Sequence, residues 1–476
     1  MGLLTLIRIL LATRIPLGDD ESFYWLWSNH LAPCYFDHPG MVAWLVYLGR
    51  MLLGETSLAV RLPTILASAG AILTAFYLGR TLFGERAGYL AAALVAVPPL
   101  FALGGFLVAS DGPLALLWLL TMLFTAKAAI SEKRGWHYAA GVSAGLALCT
   151  KFTGVLLFPS ILLFLLTCKS TRRDLLRKEP WLAALLALAV FSPVLYWNAT
   201  NGWASFVFNA AGRHEGAHLQ IVWLGQLLAV EMLFLSPLVL VSFAAALWRL
   251  FRLKGSNPRF RLLFWFSVPT LTVFWGASFV ARILPHWPAM GYLGLALATG
   301  ALWNGAGGRK AKPSWIAATL GVAAVMSVLV HIQPMHQVIP LGPKEDNTNH
   351  LFGWDQVTEA VERELARMKT RSERLFVFTD RYQLAAQLSW NLKDPNIARS
   401  INPVRDQFDY WNTPEELIGS SGIFVWEESW GKKQEALDAF RKVEEIETIP
   451  VYRQGKRIRT FHILRCIHLE TIPTEP

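Results

Sequence analysis

Charged residues are scarce in this chain of 476 residues. Asp, Glu, Lys and Arg make up only 16% of it, while 54% of the residues are hydrophobic and the mean hydropathy is +0.37. A soluble globular protein has about 25% charged and about 45–50% apolar residues. This composition excludes a disordered protein, a coiled coil and an ordinary cytosolic enzyme, and it predicts a membrane protein.

Cysteine is equally sparse, with four residues at positions 34, 149, 168 and 466. Their spacing fits neither a disulfide scaffold nor a zinc site. Cys149 and Cys168 lie in apolar runs and are expected in the core, while Cys34 and Cys466 have the alternative of pairing on one side of the membrane.

Two kinds of motif are absent from the sequence. A Gly-rich phosphate loop and a dinucleotide-binding fingerprint are both missing, which argues against a soluble nucleotide-sugar or ATP as donor. No basic cluster is interleaved with base-stacking aromatics, so we expect no nucleic-acid partner.

Long apolar runs dominate the chain up to residue 333. A run must cross about 30 Å of hydrocarbon to span a bilayer, and we predict about eleven transmembrane helices. The first is short and contains Arg8, which raises the question of whether Met1 is the true start. The predicted spans are 3–17, 60–82, 87–104, 112–130, 137–150, 153–168, 181–198, 224–248, 262–281, 287–304 and 314–333.

The distribution of basic residues predicts the orientation. The first 350 residues contain 14 acidic and 26 basic residues, and the bases concentrate in alternate loops. Because cytoplasmic loops are enriched in Lys and Arg, these loops are predicted to be cytoplasmic. The loop 18–58, the loop 199–223 and the C-terminal region are then periplasmic, in a bacterial inner membrane.

The pattern changes near residue 334. Residues 351–476 have 20 acidic and 18 basic residues, as in a soluble domain. Strand and helix patterns alternate there, which predicts an α/β domain over 334–476, following a transmembrane domain over 1–333. Helices are expected over 353–369 and 382–392 and from residue 427 through Val443, with strands over 375–379, 423–426, 448–453 and 457–465. In the first outer loop, residues 40–54 are predicted to form an amphipathic helix in the interface plane.

Three adjacent carboxylates, Asp19, Asp20 and Glu21, follow the first span directly. Carboxylates crowded beside aromatic sequence suit a general base, because repulsion and desolvation raise their proton affinity. A solvated helix cap is the alternative, and both stay open on composition. Asp19 and Glu21 also have the spacing of a pair for a divalent cation, Mg²⁺ or Mn²⁺.

Other polar residues lie at predicted span ends. Asp111 begins a predicted span, where it is either a helix N-cap or part of a pocket. Lys151, Arg282 and His286 are cations near the predicted outer face, suited to a lipid phosphate or simply snorkelling to water. Glu231 lies within a span, where carboxylates usually face a cavity.

Several motifs resemble the GT-C glycosyltransferases, specifically their protein-mannosyltransferase-like branch. The most specific is the Asp-Glu pair at 20–21, and the others occur in the family's order. Within that branch, the bacterial enzymes that transfer aminoarabinose or galacturonic acid to lipid A and core sugars are most similar. The matching segments are 20–27, 35–39, 61–63, 79–84, Asp111 with Pro113, 151–154, Trp197 with Asn198, 202–206 and 286–288.

The resemblance implies a polyprenyl-phosphate-linked sugar donor and inverting transfer to lipid A, lipopolysaccharide core, another glycan or protein. It places Asp20 at the catalytic acidic position with Glu21 beside it, and Lys151 at a recurring cation that could face the donor phosphate. Arg282 is a second candidate for that phosphate because it lies near the predicted outer face. The pocket would be completed by Tyr24, His38, Asp111, Glu231, His286 and Trp287. Gly40 departs from the family, since many relatives have a second proline there.

Two other functions remain as alternatives. One is an ion-coupled lipid or solute transporter that uses Glu231 and Asp111, although no inverted repeat is evident. The other is a non-enzymatic assembly subunit whose outer domain binds a partner.

Overall fold

The computed structural model describes residues 1–131, 133–167, 171–210, 219–255, 257–369, 375–401, 405–411, 414–431 and 435–471. The chain forms two compact units. The first contains residues 1–12, 33–45 and 61–331, and the second contains residues 13–32, 46–60 and 332–476.

Up to residue 332 the described chain is helical, as its apolar runs predict. Five of the described helices (α4, α7, α10, α14 and α16) are long and apolar enough to cross a membrane, or six spans if α12 and α13 form one broken span. The figure of eleven spans stays a prediction. In order, the helices are α1 (Gly2–Ala12), α2 (Asp19–Asn29), α3 (Met41–Leu53), α4 (Ser57–Phe83), α5 (Glu85–Ala96), α6 (Pro99–Gly104), α7 (Asp111–Ile130), α8 (Gly135–Thr150), α9 (Leu157–Thr167), α10 (Lys178–Thr200), α11 (Ala204–Ala210), α12 (Ile221–Leu235), α13 (Pro237–Leu253), α14 (Pro258–Ala277), α15 (Ala289–Trp303) and α16 (Pro313–Ile332).

Two predicted spans are broken rather than continuous. The predicted span 224–248 was wrong as a single helix, because α12 and α13 meet at Ser236 with a bend of 112°. Ser236 has a φ of +78°, and Pro237 begins the next helix. The predicted span 87–104 divides in the same way at Pro98, between α5 and α6. Proline lacks the N–H that would continue a helix.

Helices α8 and α10 pack unusually closely. A Cβ atom added at Gly141 would lie 2.3 Å from the carbonyl oxygen of Ala183, and one at Gly145 would lie 2.7 Å from that of Ala187. Small residues therefore bring the two backbones together, as is typical of helix pairs in membranes.

The C-terminal part of the second unit is an α/β domain. Its five-stranded sheet has the order β2-β1-β3-β5-β4, with β1 parallel to β2 and β3, and β5 antiparallel to β3 and β4. The strands are β1 (Leu375–Thr379), β2 (Ala398–Ser400), β3 (Ser421–Glu427), β4 (Phe440–Arg453) and β5 (Lys456–Leu469), and the helices are α17 (Trp354–Met368), α18 (Tyr382–Asn391), α19 (Phe408–Trp411) and α20 (Glu435–Asp438).

The predicted elements of this domain are largely confirmed. The helix expected through Val443 is wrong, because α20 ends at Asp438 and β4 begins at Phe440. The Phe440 ring stacks on Phe376 and Phe378 in the sheet core, and β4 pairs along its length with β5. Sheet pairing and core burial outweigh the local helical pattern here.

The alternative disulfide is also wrong. Cys34, Cys149 and Cys466 are buried free thiols. Cys168 lies outside the described residues.

Candidate functional site

The three consecutive carboxylates form the first turn of α2 in the second unit. Asp19 begins the helix, Asp20 is exposed, and Glu21 is buried at 3% exposure. The backbone N–H of Gly18 donates to Glu21 Oε2 at 2.9 Å, which is the N3-carboxylate half of a capping box. Acidic side chains are stabilised in this turn by the helix dipole. Glu21 therefore caps the helix, while Asp20 presents its carboxylate at the surface of the unit.

Asp19 is fixed by side chains from the C-terminal α/β domain. Gln387 in α18 donates its Nε2 hydrogens to Asp19 Oδ1 at 3.1 Å and to the Leu17 carbonyl at 2.9 Å. His350 Nδ1 lies 3.3 Å from the other oxygen, Asp19 Oδ2. Both carboxylate oxygens of Asp19, the residue before Asp20, are thus contacted by side chains of the α/β domain.

These contacts bear on the predicted divalent cation. The Asp19 oxygens face Gln387 and His350, and the capping box engages Glu21. Within the described ranges, no group of three or more His, Cys, Asp and Glu side chains is arranged to hold a metal ion. The Asp19–Glu21 cation pair stays a prediction, and no step below passes through a metal.

The rest of α2 is anchored by its aromatic residues. The Phe23 ring lies 4.5 Å from that of Tyr382, and the Trp25 Nε1–H donates to Glu55 Oε2 at 2.6 Å. Tyr24, predicted as a pocket residue, is buried at 8% exposure and packs edge-on against Trp27. These contacts set the position of the helix that carries Asp20.

A second polar cluster lies in the first unit, where α7 begins and α8 ends. Lys151 Nζ is 2.9 Å from both carboxylate oxygens of Asp111, and Lys151 is 6% exposed. His286 Nε2 lies 3.9 Å from Asp111 Oδ2. Three of the predicted site residues are therefore brought together around one carboxylate.

The N-cap interpretation of Asp111 is wrong. The cap position is Ser110, and Asp111 is the first helical residue, with its side chain directed to Lys151 rather than to a backbone N–H. A buried lysine needs a partner because an uncompensated charge is costly in an apolar setting. Asp111 meets that requirement.

The other predicted residues of the first unit have separate surroundings. Arg282 is exposed in the segment between α14 and α15. His38 is half-buried, and its carbonyl accepts from Tyr35 N–H at 2.9 Å in a tight turn. The Trp287 ring packs 6.1 Å from that of Phe274.

Glu231 lies in α12 and is fully buried. Among the described residues neither of its carboxylate oxygens has a hydrogen-bond partner, and the nearby polar groups are the Tyr292 hydroxyl of α15 and the Trp275 indole of α14. Carboxylates within membrane spans are rare and usually face a cavity.

Sequence reasoning did not identify His350, Gln387 or Tyr292. Gln387 bonds across 368 residues to Asp19, and nothing in its local sequence marks it.

Comparison with known proteins gives a match to a family model and matches to two characterised relatives. Residues 37–197 match the family model described as dolichyl-phosphate-mannose-protein mannosyltransferase. The lipid A galacturonosyltransferase RgtD of Rhizobium johnstonii is 25% identical over 79% of this chain and 77% of its own. An undecaprenyl phosphate-alpha-4-amino-4-deoxy-L-arabinose arabinosyl transferase of Pseudomonas savastanoi is 28% identical over 40% of each chain.

Solved structures share the fold. ArnT from Cupriavidus metallidurans, bound to undecaprenyl phosphate, matches with a TM-score of 0.65 and 15% identity over 97% of both chains. The oligosaccharyltransferase of Archaeoglobus fulgidus matches with a TM-score of 0.52 and 14% identity, over 91% of this chain and 70% of that one. The sequence motifs, the family match and the relatives make the chain similar to the GT-C membrane glycosyltransferases of the protein-mannosyltransferase-like branch, and the solved structures share its fold.

Proposed function

We propose that this chain transfers a sugar from a polyprenyl-phosphate donor to a cell-envelope acceptor, with lipid A as the first candidate. The activities of RgtD and of the arabinosyl transferases support the donor and acceptor classes. Hexosyl and pentosyl donors are both within this proposal, since the two relatives differ in their sugar. The relatives described above are transferases, so the transporter alternative is not supported.

Asp20 is the proposed general base. Asp20 is exposed in the first turn of α2, at the position where the family resemblance predicts the catalytic acidic residue. The acceptor hydroxyl oxygen would attack the anomeric carbon and its proton would pass to Asp20, while the bond from that carbon to the phosphate oxygen breaks. Attack opposite the leaving group inverts the anomeric configuration. General-base catalysis of this kind contributes about 10²- to 10⁴-fold.

Lys151 is proposed to stabilise the departing polyprenyl phosphate. A lysine paired at 2.9 Å with Asp111 is held in one rotamer at the end of α8. A positioned cation in an apolar environment stabilises developing negative charge better than a cation in water. Arg282, which is exposed, is the second candidate cation. The pocket roles of Tyr24, His38, Asp111, Glu231, His286 and Trp287 stay predictions.

The proposal includes the predicted topology. With eleven spans and basic loops in the cytoplasm, α2 and the α/β domain would lie in the periplasm of a bacterial cell. A lipid-linked donor suits that compartment because the phosphate is itself the leaving group and no nucleotide is required.

A transfer assay tests the proposal. Purified protein in liposomes is incubated with polyprenyl-phosphate galacturonic acid, aminoarabinose and neutral hexoses, each with lipid A, and the products are read by mass spectrometry. We expect one donor to add its sugar mass to lipid A and the Asp20→Asn variant to be inactive. The proposed acceptor would be contradicted if the protein binds polyprenyl phosphate but transfers sugar to lipid A from none of these donors.

A further inference from the structure

An apolar cavity of about 430 Å³ lies in the first unit, among α7, α8, α9 and α10. Its wall includes Thr125 near the end of α7 and His137 near the start of α8. Asp111 and Lys151 lie at the opposite ends of those two helices. Thr125 and His137 each lie about 21 Å along their helices from the Asp111–Lys151 cluster at 1.5 Å per residue, whereas Ala144 in the same wall lies about 10 Å from Lys151. The cavity therefore extends from the far ends of these helices toward that cluster.

Small residues create the space. Gly141 and Ala144 of α8 and Ala183 and Ala184 of α10 line the cavity, where larger side chains would fill it. Leu162 of α9 contributes to the opposite side. The resulting space is almost wholly hydrocarbon, which suits an acyl or prenyl chain rather than a polar ligand.

The rim of the cavity is polar and basic. The Trp181 Nε1–H donates to the Leu175 carbonyl at 2.9 Å, so that an indole ring closes one side of the opening. Arg177 and Lys178 lie between these two lining residues in the chain and both are exposed, and Arg177 pairs with Asp174 at 3.5 Å. Arg134, which is exposed and close in sequence to the lining residue His137, reaches Glu179 at 3.4 Å.

We infer that this cavity binds the acyl chain of an anionic phospholipid, whose headgroup phosphate meets the basic rim. Basic pockets between transmembrane helices bind anionic headgroups through such arginines and lysines. The far end of a polyprenyl tail carries no charge, whereas Arg134, Arg177 and Lys178 outnumber Asp174 and Glu179 near the opening and leave it with a net positive charge. The charge at the opening therefore favours a phospholipid over the donor's own tail.

The test measures lipid binding to protein that has been purified in detergent and stripped of lipid. Phosphatidylglycerol and phosphatidylcholine with identical acyl chains are titrated, with thermal stability and native mass spectrometry as readouts. We expect phosphatidylglycerol to bind at least about tenfold more tightly and to raise the melting temperature, because only its headgroup is anionic.

Matched variants localise the binding. Ala184→Phe places a ring in the cavity from an exposed position, and Ala318→Phe makes the same change on the exposed surface of α16. We expect Ala184→Phe to weaken phosphatidylglycerol binding at least about tenfold and Ala318→Phe to leave it unchanged. Arg177→Gln with Lys178→Gln should remove the preference for phosphatidylglycerol over phosphatidylcholine.

Three results would overturn the inference. Equal binding of the two lipids would mean that the cavity takes any hydrocarbon, and competition by polyprenyl phosphate would make it a seat for the donor tail. Unchanged binding in Ala184→Phe would place the lipid elsewhere. None of these results depends on sugar transfer, so the inference and the proposed function are tested separately.

Discussion

The Lys151–Asp111 pair allows a test of whether Lys151 acts in sugar transfer or only stabilises the fold. Lys151 is 6% exposed, and both Asp111 oxygens lie 2.9 Å from its ammonium group. Removing one partner of a buried pair leaves an uncompensated charge and typically costs about 3–5 kcal/mol. Lys151→Met and Asp111→Asn should each lower the free energy of unfolding by that amount, measured by denaturing-detergent titration.

The double variant separates stability from catalysis. Removing both charges eliminates the uncompensated ion, so the pair Lys151→Met and Asp111→Asn should cost less than either single change. The double variant should nevertheless transfer no sugar, because the cation proposed to face the donor phosphate is gone. Arg363→Ala is the control, since its surface ion pairs with Glu359 and Glu447 are worth about 1 kcal/mol or less.

Two results would refute this reasoning. If the losses in the free energy of unfolding from the two single changes add up in the double variant, the two side chains do not compensate each other. A double variant with normal transfer would show that Lys151 has only a structural role.

Three further predictions concern the second unit. Glu21→Gln keeps an oxygen that accepts from the Gly18 N–H, so this variant should transfer sugar normally. Glu21→Ala removes that oxygen and should lower the free energy of unfolding by about 1 kcal/mol. A stable but inactive Glu21→Gln variant would show instead that Glu21 is catalytic. Gln387→Ala should lower kcat severalfold and leave the KM for the donor unchanged, because it removes a hydrogen bond to Asp19, the residue next to the proposed base Asp20. A change in KM alone would contradict a positioning role for Gln387. Burial raises the pKa of Asp346, but hydrogen bonds from Thr348 and Gln333 outweigh it and hold the pKa below its ordinary value of about 4. The stability that Asp346 contributes should be complete above about pH 4 and lost as the pH falls further, so an Asp346→Asn difference that persists at lower pH would be inconsistent with these contacts.

Much of the fold follows from local pattern. Apolar runs predicted the helices of the first unit closely, since a run such as 112–130 must bury or face lipid along its whole length. The break at Ser236 was missed because continuous hydropathy does not reveal a residue at φ +78°. The strand at Phe440 was missed because its stabilisation comes from pairing with residues far along the chain.

The candidate site was only partly accessible to sequence reasoning. The Asp-Glu motif gave Asp20, yet only the structure assigns Glu21 to the cap and Asp19 to Gln387 and His350. The pairing of Asp111 with Lys151 joins residues 40 positions apart, which no local pattern encodes. Long-range polar contacts are specified by packing, which single-sequence reasoning does not supply.

The central claim is that Asp20 accepts the proton of the acceptor hydroxyl. The decisive measurement is the single-turnover rate of sugar transfer by Asp20→Asn in liposomes, with polyprenyl-phosphate binding and thermal unfolding measured on the same sample. The account predicts a loss of about 10²-fold or more with binding and unfolding unchanged. A rate within a few-fold of the unmodified protein would contradict it.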